Sequence, residues 1–148
     1  MNSVMLALST FRQSENAIVL AVRKAAEAKN LIVVFIVDIN IERYMVGSDI
    51  GLYPKLKEKC EQEILCVHKK QAEEKVKSIM ETANKNGIIT RSHIVIGRFG
   101  IECVNIISKE KPEIVITTRS KRPEWIKKIF GSPVDYVIAN SACPVMEA

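Results

Sequence analysis

Glycine and proline are scarce in this chain, 6 and 5 of its 148 residues, and aromatic side chains make up only 5%. With few chain breakers and no low-complexity tract, the composition excludes extended disorder. No basic stripe is interleaved with Phe or Tyr to stack bases, so a general nucleic-acid binder is not expected. No apolar run approaches the ~20 residues that a membrane-spanning helix requires. The longest, Leu31 to Val37, leads directly into Asp38, and insertion of this chain into a membrane is not expected. The four cysteines, at 60, 66, 103 and 143, include no Cys-x-x-Cys pair, and the N-terminus lacks the basic, apolar and small-residue segments of a secretory signal. Both absences fit the reducing cytoplasm. Cys60, Cys66 and His68 are near one another in sequence, but no further ligand stands at zinc-like spacing and His93 lies elsewhere, so no metal site is expected.

Signatures of catalysis are missing too. There is no Gly-x-Ser-x-Gly elbow, no paired-carboxylate constellation, no His-based triad and no Gly-Lys-Ser/Thr of a P-loop, and the expectation is that the chain is not an enzyme.

What is present is a large apolar fraction, 47%, enough to close one core, so a single domain over residues 1–148 is expected. A net charge of +5, from 22 Lys and Arg against 17 Asp and Glu, mildly favours anionic partners. The apolar pattern alternates between two periods. Val4 to Leu8 reads as a strand, and Ala17, Ile18, Ala21, Val22, Ala25 and Ala28 as a helical face that Ser14 is placed to cap. Leu31 to Val37 is continuously apolar and rich in β-branched residues, as a strand buried on both faces must be. Asp38 to Leu52 has no sustained period and reads as a loop. From Tyr53 to Asn86, Leu56, Cys60, Ile64, Val67, Ala72, Val76, Ile79 and Ala83 trace one long amphipathic helix, opened by Pro54 and stopped by Asn86-Gly87. Ile88 to Ile96 reads as a strand, Gly97 to Gly100 as a tight turn and Ile101 to Lys109 as a short helix. Ile114 to Thr117 is a fourth strand, Thr118 to Phe130 a basic loop, Ser132-Pro133 the start of a helix through Ala139, and Cys143 to Met146 a brief fifth strand. Strict alternation with right-handed crossovers predicts an α/β fold, a doubly wound five-stranded parallel sheet with helices on both faces. Ligands of such sheets sit beyond the carboxyl ends of the strands, where the strand order reverses. Ser9 to Gln13, Asp38 to Leu52 and Thr118 to Ser132 are predicted to converge there.

This layout, with Gly97 before a short helix, Pro112-Glu113-Ile114-Val115-Ile116, Gly131-Ser132 and the terminal Cys143-Pro144-Val145, resembles the universal stress protein family over essentially the whole chain. The resemblance implies the adenine nucleotide alpha hydrolase-like fold, a regulatory role, a homodimer and a site for ATP or another adenine nucleotide. ATP-binding members carry Gly-x2-Gly-x9-Gly-Ser/Thr after the fourth strand, because bare backbone approaches phosphates and the following helix start supplies amide donors. Here Thr118 and Lys121 stand where the first two glycines belong, and only Gly131-Ser132 survives. The family's acidic residue after the first strand aligns with Ser9, so that carboxylate is absent as well, and Pro133 removes one amide donor. Against these losses, Arg119, Lys121 and Arg122 add cationic groups able to hold phosphate by side chains.

The candidate nucleotide-binding residues are therefore Ser9, Thr10, Ile36, Asp38, Thr118, Arg119, Lys121, Gly131 and Ser132. Ile36 and Asp38 match positions resembling the family's adenine-side edge. Gly131-Ser132-Pro133 also reads as a plain helix cap, the basic cluster as a solvated loop, and Trp125 as a residue pinning that loop to the body. A loop with basic residues, Pro and Trp in place of glycines is similar to that of stress-protein-like domains within some bacterial sensor kinases. Two alternatives remain beside the nucleotide module. One is a ligand-free dimerising scaffold, with only Val145 to Ala148 left after Pro144 to pair through the last strand. The other is a cytosolic regulatory domain of a transporter or kinase.

Overall fold

The computed structural model describes residues 2–10, 12–38, 54–118 and 133–148, with residues 54–61 and 133 described by backbone alone. In chain order the elements are β1 (Val4–Ser9), α1 (Glu15–Ala28), β2 (Asn30–Asp38), α2 (Pro54–Lys85), β3 (Ile89–Gly97), α3 (Phe99–Glu110), β4 (Ile114–Thr117), α4 (Pro133–Asn140) and β5 (Val145–Glu147). The five strands form one sheet in the order β3-β2-β1-β4-β5, and every pairing is parallel. The expected doubly wound α/β sheet is what the chain adopts.

The apolar runs explain the centre of the sheet. Every residue of β1 and all but the first of β2 are buried, because helices cover both faces. Side chains alternate across the sheet, so consecutive residues serve different cores. Leu6, Leu8, Val33 and Phe35 join Ala17, Ala21 and Ala25 of α1 and Ala72, Val76, Ile79 and Ala83 of α2 on one side. Met5, Ala7, Ile32, Val34 and Ile36 meet Phe99, Cys103, Ile106 and Ile107 of α3 and Val134 and Val137 of α4 on the other. The three alanines of α1 recur every four residues and turn a shallow face to the sheet, which lets that helix lie close.

Boundaries depart from the sequence reading where tertiary contacts intervene. β1 runs one residue further, to Ser9, because Ser9 pairs with Ile36 of β2. The turn expected over Gly97 to Gly100 is shorter, since α3 starts at Phe99, whose ring is buried in the second core. The long helix stands as expected, ending at Lys85 with Gly87 beyond it at φ +73°, a left-handed angle that glycine adopts without a Cβ penalty. Its apolar stripe is not continuous. Between Val67 and Ala72 the step is five residues, about 140° of rotation too far for one face. Leu65 packs on the core instead, and Val67 is 53% exposed. α1 and α3 close on Lys29 and Lys111 in the left-handed region, their N–H groups donating to Ala25 O and Ile107 O at 2.6 and 2.9 Å. No glycine signals those two ends, so sequence alone does not mark them. β5 is shorter than expected and begins at Val145 rather than Cys143.

The β3 edge is buttressed by α3. Glu110 takes Arg91 Nη2 at 2.8 Å and His93 Nε2 at 3.1 Å, tying the last turn of the helix to the outer strand. Among the described residues no helix is long and apolar enough to cross a membrane.

Candidate functional site

Strand order reverses between β1 and β4: the chain builds outward from β1 through β2 to β3, then crosses back to β4 on the other flank of β1. In sheets of this kind ligands bind beyond the carboxyl ends of the strands at such a reversal point. Ala7 is level with Thr117 of β4, and Ser9 with Ile36 of β2, so Ser9, Ile36, Thr117 and Thr118 gather at one rim. Asp38 ends β2 at the same rim, opposite Gly97 of β3. A Cβ at Gly97 would come within 2.8 Å of Glu102 Cγ, so the missing side chain lets Glu102 fold against the strand end. Ser9 and Arg12 close a tight reversal, each N–H donating to the other's carbonyl at 3.1 Å.

The rim has two sides, and adjacent Thr118 and Thr117 differ in how their hydroxyls are used. On the α1 and α2 side, Thr118 Oγ1 accepts from Ser14 N–H at 3.0 Å. Ser14 Oγ in turn accepts from Ala17 N–H at 3.2 Å and donates to Ala148 O at 3.1 Å. The Ser14 and Ala17 amides at the start of α1 are thereby satisfied from within the fold. Thr10 lies on this side as well, lining an open polar cleft of about 370 Å³ with Gln13, Phe35 and His68.

The α3 and α4 side holds Arg12 and Thr117. The Arg12 guanidinium carbon lies 5.7 Å from the centroid of the Phe99 ring, and its Nη1 is buried. Thr117 is 2% exposed, and its Oγ1 has no hydrogen-bond partner among the described residues. An apolar void bounded by Ala7, Phe99, Cys103 and Thr117 lies beneath and is too narrow to admit water. Cys103 faces this void, and burial pushes its thiol up to about 12 from the ordinary 9.0. The positive charge of Arg12 opposes that rise without cancelling it, so the thiol stays protonated at neutral pH.

Of the nine residues expected at the site, Ser9, Ile36, Asp38 and Thr118 come together at the ends of adjacent strands, while Thr10 turns to the α2 cleft. Arg119, Lys121, Gly131 and Ser132 lie outside the described residues, as do Trp125 and the loop from 39 to 52. Sequence reasoning did not single out Arg12, Thr117 or Phe99, which the structure also brings to this end of the sheet. Arg12 was legible only as part of a polar turn, and Phe99 fell in an expected loop. Among the described residues no group of three or more His, Cys, Asp or Glu is placed to hold a metal ion.

Comparison with known proteins agrees with this architecture. No curated protein matches the chain. Among solved structures, universal stress protein UspA from Lactobacillus plantarum is 16% identical with a TM-score of 0.70, over 98% of this chain and 96% of that one. A universal stress protein in complex with cAMP is 13% identical with a TM-score of 0.60, over 99% and 96%. One from Archaeoglobus fulgidus in complex with dAMP is 14% identical with a TM-score of 0.56, over 99% and 95%. At such identities the likeness is one of fold. The sequence pattern of the universal stress protein family, however, matches residues 1–146. A matched sequence pattern over nearly the whole length and a sheet wound in the same way together place this chain in the universal stress protein family.

Proposed function

We propose that this chain is a cytoplasmic, single-domain regulatory module, not an enzyme, that takes an adenine nucleotide weakly at the carboxyl rim of its sheet. The observation that carries the reading is the reversal of strand order between β1 and β4, with Ser9, Ile36 and Thr118 at the carboxyl rim beside it. Structures of the same fold in complex with cAMP and dAMP support it. Asp38 belongs to the base-side edge, and Arg119, Lys121, Gly131 and Ser132 to the phosphate end. With glycine lost at 118 and 121, backbone approach to phosphate is hindered and side-chain cations take over part of that work. Affinity is correspondingly modest. Calorimetry with ATP, AMP and cAMP, with and without magnesium, tests the reading; no binding tighter than about 1 mM for any of them would end it.

A second reading, a homodimeric scaffold, is favoured by one feature. Tyr136, Ile138 and Met146 are exposed apolar side chains on α4 and β5, beside a short sheet edge. Sedimentation equilibrium showing a strict monomer at high micromolar concentration would remove it.

A further inference from the structure

We infer that the first half of α2 is a docking surface for a second copy of this chain, with Ile64 and Val67 of the two copies packed together in an antiparallel helix pair. The inference rests on the homodimer reading above and deepens it, moving the surface from α4 and β5 to α2. With 32 residues α2 is about 48 Å long, whereas the nine residues of β2 span about 30 Å, so the helix outruns the sheet. Among the described residues its core contacts begin with Leu65 and run through Ala72, Val76, Ile79 and Ala83. Both α1 and α2 run back from the carboxyl rim, and Lys75 meets Glu15, the first residue of α1, at 2.9 Å. α1 therefore starts level with that turn of α2 and does not cover the turns before it. Ile64 belongs to neither core, and Val67 is 53% exposed. The five-residue step to Ala72 turns Val67 about 140° from the sheet-facing side, and Ile64, three residues earlier, shares its face.

Charge decides what covers this face. Glu63 stands just before the apolar pair, and Lys69 and Lys70 stand just after it. Glu63 and Lys70 are exposed, and neither makes an ion pair among the described residues. Seven residues separate them, two helical turns, so they share one flank of the pair but lie about 10 Å apart and do not reach each other. In an antiparallel pair with Ile64 against Val67 of a second copy, Glu63 falls beside Lys70 of that copy, and the two-fold axis makes the contact twice. A parallel pair would instead bring Lys70 towards Lys75 of the other copy, two like charges. A partner helix of one charge sign would match one end of the surface and oppose the other, whereas the order acid, apolar, basic is complementary to itself. Two apolar layers make a small contact, so the association is weak, with Kd of about 0.1 mM.

The test is sedimentation equilibrium on the full chain from about 10 μM to about 1 mM, where wild type is expected to show a monomer–dimer equilibrium. Val67→Glu, which suits a helix surface, should weaken the dimer by about tenfold or more. Glu63→Lys and Lys70→Glu should each weaken it by about threefold to tenfold, and the double swap, which rebuilds both ion pairs with the charges exchanged, should return it to within about twofold of wild type. Because the double variant carries both substitutions, its recovery excludes misfolding as the cause of the single losses. Ile138→Asp on α4 should leave the dimer unchanged. Dimerisation unaffected by Val67→Glu, or single losses that the double swap does not recover, would overturn the assignment. Loss in Ile138→Asp alone would overturn it too and leave the homodimer reading standing on α4 and β5. A wild-type chain that stays monomeric throughout overturns both.

Discussion

The two adjacent threonines at the end of β4 differ in what the fold does with their hydroxyls. On the α1 and α2 side, Thr118 Oγ1 accepts from Ser14 N–H, although the buried Thr10 hydroxyl on that side is unmatched among the described residues. On the α3 and α4 side, Thr117 has a buried hydroxyl unmatched among the described residues, and an arginine rests by a phenylalanine ring. An unmatched buried hydroxyl therefore occurs on both sides, at Thr10 and at Thr117, and does not by itself mark one side for a ligand.

Two phenylalanines compare the two sides at the largest scale. Phe35 packs on the first side and Phe99 on the second, and truncating either to alanine should cost about 3–5 kcal/mol in urea unfolding. A loss below about 1 kcal/mol for either would mean that its side of the sheet repacks around the gap.

The next effect concerns pH. Since the folded thiol of Cys103 sits at about 12 and the ordinary value is 9.0, the unfolded chain releases this proton first as pH rises. The folded state then holds more protons, so stability is unaffected below pH 9 and falls above it, by up to about 1.4 kcal/mol per pH unit until about pH 12. Cys103→Ala should flatten that portion of the alkaline stability profile. Under native conditions iodoacetamide should label exposed Cys66 well before Cys103, as read by mass spectrometry.

Adjacent threonines give the sharpest contrast. Thr118→Val removes the acceptor for Ser14 N–H and should cost about 1–2 kcal/mol. Thr117→Val removes a hydroxyl with no partner and should be neutral or stabilising by up to about 1 kcal/mol. Thermal unfolding of the pair side by side checks this, and a large loss for Thr117→Val would mean that its hydroxyl is matched after all. The smallest effect belongs to the ion pair of Lys75 with Glu15, 2.9 Å long but largely solvated. Lys75→Ala should shift stability by no more than about 0.5 kcal/mol.

Much of the architecture was legible because burial on both faces forces an unbroken apolar run, as in Leu31 to Val37, and a single sheet-facing side forces a helical period, as in Ala17 to Ala25. The long helix was legible for the same reason, but its facing was not. The five-residue step after Val67 hides which apolar residue meets the sheet, and only the structure selects Leu65. At the site, the losses at 118 and 121 and the small residue at 9 could be read from spacing to Gly131. Arg12 could not, because the path of a long side chain depends on which ring happens to lie within its reach.

By itself, the sequence determined the alternation of strands and helices, hence a parallel sheet with a crevice at its reversal point, since periodicity and crossover handedness are local properties of the chain. Tertiary structure alone decided which rim residues share a side. That outcome depends on the register between strands distant in sequence and on which helix closes over each face. It set Thr118 against a helix cap while leaving the Thr117 hydroxyl buried without a partner among the described residues.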